Sequence, residues 1–188
     1  MKADAAREQA QATFEAGFNC AEAVFLVATR EFGLDVPEQV RLATAFGGGV
    51  GRCKEEMCGA VAGAVLAVGA LCGRERPGAD WDLAARLARA VREDALAEHG
   101  SIRCGDLLHA FGEQAGMQAC IRFTAMVAGQ VVARLRQARD DGEFVPPAAM
   151  RSVAGGVLAP DGVLAPDGAL APDGVLAPDG ALARRVLR

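Results

Sequence analysis

Met57-Cys58-Gly59-Ala60-Val61-Ala62-Gly63-Ala64 opens an apolar run that reaches Gly73 without a charged residue. The run is short for a membrane span, which takes about 20 residues. It is rich in glycine and alanine, and Gly59, Gly63 and Ala67 recur every fourth residue, along one face of a helix. Another backbone can approach closely along such a face. The stretch therefore reads as a buried central helix over about residues 57–71, around which the rest of the chain packs.

The flanking sequence agrees. Upstream, residues 3–16 are Ala-rich and helical, and Gly17 stops them. Asn19 is a good N-cap for a second helix, Cys20 to Phe32, ended by Gly33. Pro37 starts a third, running to about Phe46. The loop Gly47-Gly48-Gly49-Val50-Gly51 leads into the apolar run. Downstream, Pro77-Gly78 breaks the chain, and Asp80 caps a helix over Trp81 to Glu98, followed by His99-Gly100. Ser101 can cap a short helix carrying Cys104, Leu107, Leu108 and Phe111. A long helix from Met117 to Arg139 carries Cys120 in its first turn. No segment shows sustained β alternation. The expected fold is all-α: a compact, bundle-like packing of six or seven helices around the Gly/Ala-rich one, within a domain spanning 1–139.

Residues 140–188 read as a linker and a tail that repeats Gly-Val-Leu-Ala-Pro-Asp, with Val alternating with Ala. Proline in each unit forbids a continuous helix, and Pro-Asp-Gly favours a turn. The expectation is a disordered low-complexity tail.

Composition limits the function. The chain has 188 residues, a net charge of −4 and a pI near 5.3, with no basic face, so nucleic acid is not an expected partner. Arg far outnumbers Lys and there is no Tyr, a bias read as that of a GC-rich genome. The N-terminus has no apolar stretch of the secretory kind, so the expected compartment is the cytoplasm. Six cysteines there argue for reduced thiols, a metal or cluster, or redox cycling rather than a disulfide scaffold.

Four of the six, Cys20, Cys58, Cys104 and Cys120, fall where a helix begins. Backbone N–H groups and the positive end of the helix dipole there stabilise a thiolate, the form that attacks disulfides and binds metals. Arg52, Arg103 and Arg122 lie close by in sequence and would offset the charge of thiolates or of a thiolate-bound cluster. Cys72 lies fourteen residues beyond Cys58 on the same helix, roughly 20 Å away, and reads as a filler outside the site. Cys53, in a flexible glycine-rich loop, is the one plausible auxiliary or resolving thiol. Gly47, Gly48 and Gly49 lack the Lys-Ser/Thr ending of a phosphate loop and fail the dinucleotide pattern at Arg52; their expected job is to bring backbone close to the sulfurs. His99 and His109 do not read as ligands. The absence of Cys-x-x-Cys speaks against a thioredoxin-like dithiol or a zinc ribbon.

The elements Phe18-Asn19-Cys20-Ala21-Glu22-Ala23-Val24, Phe46-Gly47-Gly48-Gly49, Cys58-Gly59-Ala60-Val61-Ala62-Gly63, Cys104-Gly105-Asp106-Leu107-Leu108 and Cys120 occur in this order. Together they resemble the C_GCAxxG_C_C family, small bacterial and archaeal proteins named for their cysteine pattern and described as redox-active. The resemblance implies that Cys20, Cys58, Cys104 and Cys120 are the four signature cysteines. A similar domain occurs fused to haem-bearing modules of the split-Soret cytochrome type, where it is associated with an iron–sulfur centre.

Three readings follow. In the first, the four thiolates hold a small iron–sulfur cluster, [2Fe–2S] by preference, for electron transfer with a redox partner protein that the sequence does not name. In the second, no cluster is present and the thiols cycle through disulfides, with Cys58 as the attacking thiol. In the third, the four cysteines hold a structural zinc inside a helical interaction module.

Overall fold

The computed structural model describes residues 3–34 and 37–146. Within them lie seven α-helices: α1 (Ala3–Glu15), α2 (Cys20–Glu31), α3 (Arg41–Thr44), α4 (Gly59–Cys72), α5 (Asp82–His99), α6 (Cys104–Phe111) and α7 (Gln118–Asp140). A 3₁₀ turn, Pro37–Val40, precedes α3, so the helix expected to run to Phe46 is split and ends earlier. The hexapeptide tail, and its reading as disordered, lie outside the described residues.

The apolar run is the buried helix α4. Gly59 to Ala64, Ala67, Val68 and Leu71 are all buried, so α4 has no wet face along its first half. It begins two residues later than the sequence suggests, which places Cys58 at the N-cap instead of inside the helix. α2 lies across α4, and the fit depends on Gly63: a Cβ there would stand 2.9 Å from Ala21 Cα and overlap the Ala21 carbonyl oxygen. α7 packs on α1, α2 and α4, and α5 closes the far side of α4. Burial of Val127, Val131, Val132 and Leu135 on α7 and of Val24, Phe25 and Ala28 on α2 forms the rest of the core.

Local chemistry explains the helix starts. Asn19 Oδ1 accepts from Ala21 N and Glu22 N at 2.9 and 3.1 Å, and Glu22 Oε2 accepts from Asn19 N at 2.8 Å. This reciprocal box satisfies N–H groups that helix α2 cannot pair internally. Asp80 Oδ1 accepts from Asp82 N at 2.9 Å, one residue beyond the start expected for α5. Ser101 does not cap α6; its hydroxyl accepts from Arg103 N and donates to Asp106 Oδ2.

Packed chain continues past residue 139, where the sequence places a linker. Phe144 lies with its ring 5.8 Å from that of Phe32, and Glu143 pairs with Arg86. By its contacts the chain divides into Met1–Ser152 and Val153–Arg188. Truncation after Ser152 is expected to leave helix content and the thermal midpoint unchanged. A fall of several degrees in a thermal melt would show that the repeat contributes to the folded unit.

Candidate functional site

Each signature cysteine is carried by a different helix start. Cys20 is the first residue of α2, Cys58 the N-cap of α4, Cys104 the first residue of α6 and Cys120 the third of α7. An isolated antiparallel bridge, Met57 to Arg103, sets two of them side by side. Its bonds are Cys58 N to Ile102 O at 2.7 Å and Cys104 N to Glu56 O at 2.9 Å. Gly105 N donates to Lys54 O at 2.7 Å and extends the clip. All four cysteines line one cavity of about 600 Å³.

The glycine loop forms the cavity's edge through an unusual backbone. Gly48, Gly49, Val50, Gly51 and Arg52 all have φ between 58° and 69°, and Lys54 follows at 65°. Left-handed geometry costs a non-glycine residue roughly 1–2 kcal/mol, and most of all a β-branched one such as Val50. The loop is held there by Gly51 N to Ala45 O at 2.7 Å, Arg52 N to Gly47 O at 3.1 Å and Lys54 N to Gly48 O at 3.0 Å. It is thus a turn closed by its own backbone hydrogen bonds. The curl brings Gly49 against Cys104, where a Cβ would meet the Cys104 Cβ at 2.6 Å. Gly47 lies against the Asn19 side chain in the same way, at 2.8 Å. On the opposite side Gly59 leaves room for sulfur: a Cβ there would stand 2.5 Å from Cys20 Sγ.

Helix-start thiols do not all become acidic. The Cys58 thiol hydrogen-bonds the Cys20 sulfur, and this bond, aided by backbone N–H groups including that of Gly48, lowers the Cys20 pKa to about 6 against the opposing effect of burial. The same bond holds the proton on Cys58, whose pKa is pushed well up by it and by burial. Burial also raises Cys104 and Cys120. Their first-turn N–H groups are already occupied: Cys104 N and Gly105 N by loop carbonyls, Ala119 N and Cys120 N by Gln114 Oε1 at 2.8 and 3.1 Å. Desolvation therefore exceeds the helix-terminus effect. Of the two, Cys58 is the more buried.

Cys53 is exposed and does not line the cavity; its Sγ lies 2.8 Å from Gly49 O. Its electrostatic neighbour is Cys104, whose thiol it helps push up. Cys72 ends α4 away from the cavity, raised to about 11 by burial and by Glu143. His99 packs edge-on against Phe123 at 4.9 Å and Phe111 at 5.6 Å, and His109 is exposed. Among the described residues no three Cys, His, Asp or Glu side chains gather so as to hold one metal ion.

The order and spacing of these cysteines can be compared with known families. The family described as "Putative redox-active protein (C_GCAxxG_C_C)" matches residues 18–134. The chain belongs to the C_GCAxxG_C_C family. No curated protein and no solved structure gives a significant match. In this member of the family the matched span runs from the residue before the Asn19 cap into α7, and so includes the whole glycine loop and all four signature cysteines.

Sequence reasoning missed the cavity's second half. Phe14, Leu108, Phe111, Met117 and Phe123 form an apolar wall beside the sulfurs, and Thr124 on that wall has a buried hydroxyl without a partner. These residues come from α1, α6, the 3₁₀ turn before α7 and α7 itself, and no local motif joins them. Arg52 and Lys54 also line the cavity, and among the described residues no Asp or Glu does.

Proposed function

We propose that this redox-active protein works through the Cys20–Cys58 sulfur pair. The observation that supports the reading is the placement of Cys20 Sγ against Gly59, the neighbour of Cys58, with both cysteines lining one cavity, alongside a lowered Cys20 pKa and a raised Cys58 one. A dithiol so divided has a nucleophile ionised at neutral pH and a second sulfur within reach to resolve it. Cys20 thiolate attacks one sulfur of a disulfide, forms a mixed disulfide and expels a thiolate, which takes the Cys58 proton. Cys58 thiolate then attacks Cys20 Sγ and releases the second half of the substrate. The substrate disulfide is reduced by two electrons and the protein pair is oxidised to a disulfide.

A second reading is a two-iron cluster held by Cys20, Cys58, Cys104 and Cys120. It is supported by the lining of one cavity by all four cysteines. Such a cluster asks for two thiolates on each iron, and four cysteines is the ligand count it needs. When bound, the cluster would supply one-electron storage. The chain's part is to shield the sulfurs behind the apolar wall and to offset their charge with Lys54, whose charge opposes the rise of the Cys104 pKa. A single four-cysteine zinc is less well served, since no three ligands gather at one place.

Anaerobic purification with iron, sulfide and zinc analysis, a visible spectrum and thiol titration tests these readings. The dithiol reading expects colourless protein that loses the Cys20 and Cys58 thiols together on mild oxidation. Iron and sulfide in equal amounts, with visible absorption that Cys58→Ser bleaches, would establish the cluster instead.

A further inference from the structure

The four signature cysteines line a cavity of about 600 Å³, a volume within the usual range for sites that enclose a small organic ligand. The same lining carries the apolar side chains of Phe14, Leu108, Phe111, Met117 and Phe123. Water filling such a space would find few partners there. At one edge stand Arg52 and Lys54, the two charged residues of the lining, and neither is paired with a carboxylate among the described residues. Both are held in left-handed backbone, a strained geometry maintained by the loop's hydrogen bonds. Thr124, on the wall, keeps a buried hydroxyl with no partner.

We propose that the cavity binds a small disulfide, or its dithiol, on an apolar body that ends in a carboxylate or similar anion. The anion is held by Arg52 and Lys54, and the sulfur is presented to the Cys20–Cys58 pair. The apolar wall takes the body of the molecule. This substrate class rests on the reading of Cys20–Cys58 as the redox unit, whereas the anion-binding cavity does not. The step is the exchange already described, with the bound ligand's S–S bond broken, the Cys20–Cys58 bond formed, and the last thiolate protonated from water.

Two measurements on the full-length protein separate these claims. In the first, octanoate and octanol compete with anilinonaphthalene sulfonate fluorescence. Octanoate is expected to displace the dye at about ten-fold lower concentration than octanol, because its carboxylate makes charge-assisted bonds. Arg52→Asn combined with Lys54→Asn should erase that preference; asparagine tolerates left-handed backbone, and a circular dichroism spectrum checks the fold. Equal displacement by the two probes, or a preference that survives in the variant, overturns the anion site and leaves the cations as counter-charges to the thiolates. In the second, reduced protein is treated with lipoate, a cyclic disulfide on an aliphatic carboxylate, or with uncharged hydroxyethyl disulfide. Lipoate should remove both thiols at about ten-fold lower concentration, and the advantage should collapse in the same double variant. Equal efficiency of the two disulfides overturns the substrate class. If neither oxidises the pair, the dithiol reading itself fails, while the octanoate result still decides the cavity.

Discussion

Replacing Gly63 by alanine is expected to lower the thermal midpoint by about 5–10 °C, although alanine is the better helix former. Propensity alone favours the change by about 1 kcal/mol. Against it, the new Cβ would overlap the Ala21 carbonyl oxygen and stand 2.9 Å from Ala21 C and Cα. These are backbone atoms, so no side-chain rotation relieves the overlap and α2 must move off α4. Overpacking of this kind costs about 1–3 kcal/mol and more where backbone must shift. A net loss of about 2 kcal/mol follows, and α2 carries Cys20, so the sulfur pair loosens with it. Gly69 provides the internal control on the same helix. Nothing lies within 4 Å of a Cβ there, so Gly69→Ala should be neutral or stabilising by up to about 1 kcal/mol. Thermal melts of the two variants should move apart. Equal midpoints for Gly63→Ala and the parent would mean that the helices do not approach as closely as described.

Cys58→Ala is expected to slow alkylation of Cys20 at pH 6 by about ten-fold. In the parent the Cys20 pKa lies at about 6, mainly through the Cys58 hydrogen bond, so half the sulfur is thiolate at that pH. Without the bond the pKa returns toward the ordinary thiol value of about 8.5. The thiolate fraction at pH 6 then falls roughly a hundred-fold, and the greater nucleophilicity of the more basic thiolate restores about ten-fold of that. The pH–rate profile should shift upward in the variant, crossing the parent's near pH 7.5 or so and rising to about ten-fold above it well past pH 8.5. The stability consequence has a definite sign. A lowered folded-state thiol pKa stabilises the fold above the unfolded pKa, and that stabilisation fades as pH falls through about 6. Iodoacetamide labelling followed by peptide mass mapping reads Cys20 separately from exposed Cys53. An unchanged profile would show that the Gly48, Ala21 and Cys20 N–H groups suffice without Cys58.

Much of the fold is legible along the chain because its signals are local. The Gly59–Gly63–Ala67 spacing marks α4 as the buried helix, and Asn19 with Glu22 three residues later marks the start of α2. Boundaries are less legible: Cys58 moves from first turn to N-cap, and the helix after Pro37 is split. The site is legible as a set of residues but not as a set of states. Position at a helix start suggests four acidic thiols, yet only the one that receives a hydrogen bond from another thiol is lowered. Burial raises Cys104 and Cys120, and the partnership with Cys20 together with burial raises Cys58.

The sequence by itself determined the helices, the central place of α4 and the four cysteines at helix starts, because propensity, capping and glycine spacing act within a few residues. Tertiary structure alone decided which sulfurs share a cavity and what faces them. The Cys20–Cys58 bond joins residues 38 positions apart, and the bridge at Met57 and Arg103 aligns two helix starts through a clip that no local pattern announces. The left-handed run from Gly48 to Arg52 forces Val50 and Arg52 against their own preference and is sustained by hydrogen bonds back to Ala45, Phe46 and Gly47. The apolar wall is assembled from four separate elements. Contacts of this kind depend on how helices cross, and a crossing depends on the whole packed set of side chains at once.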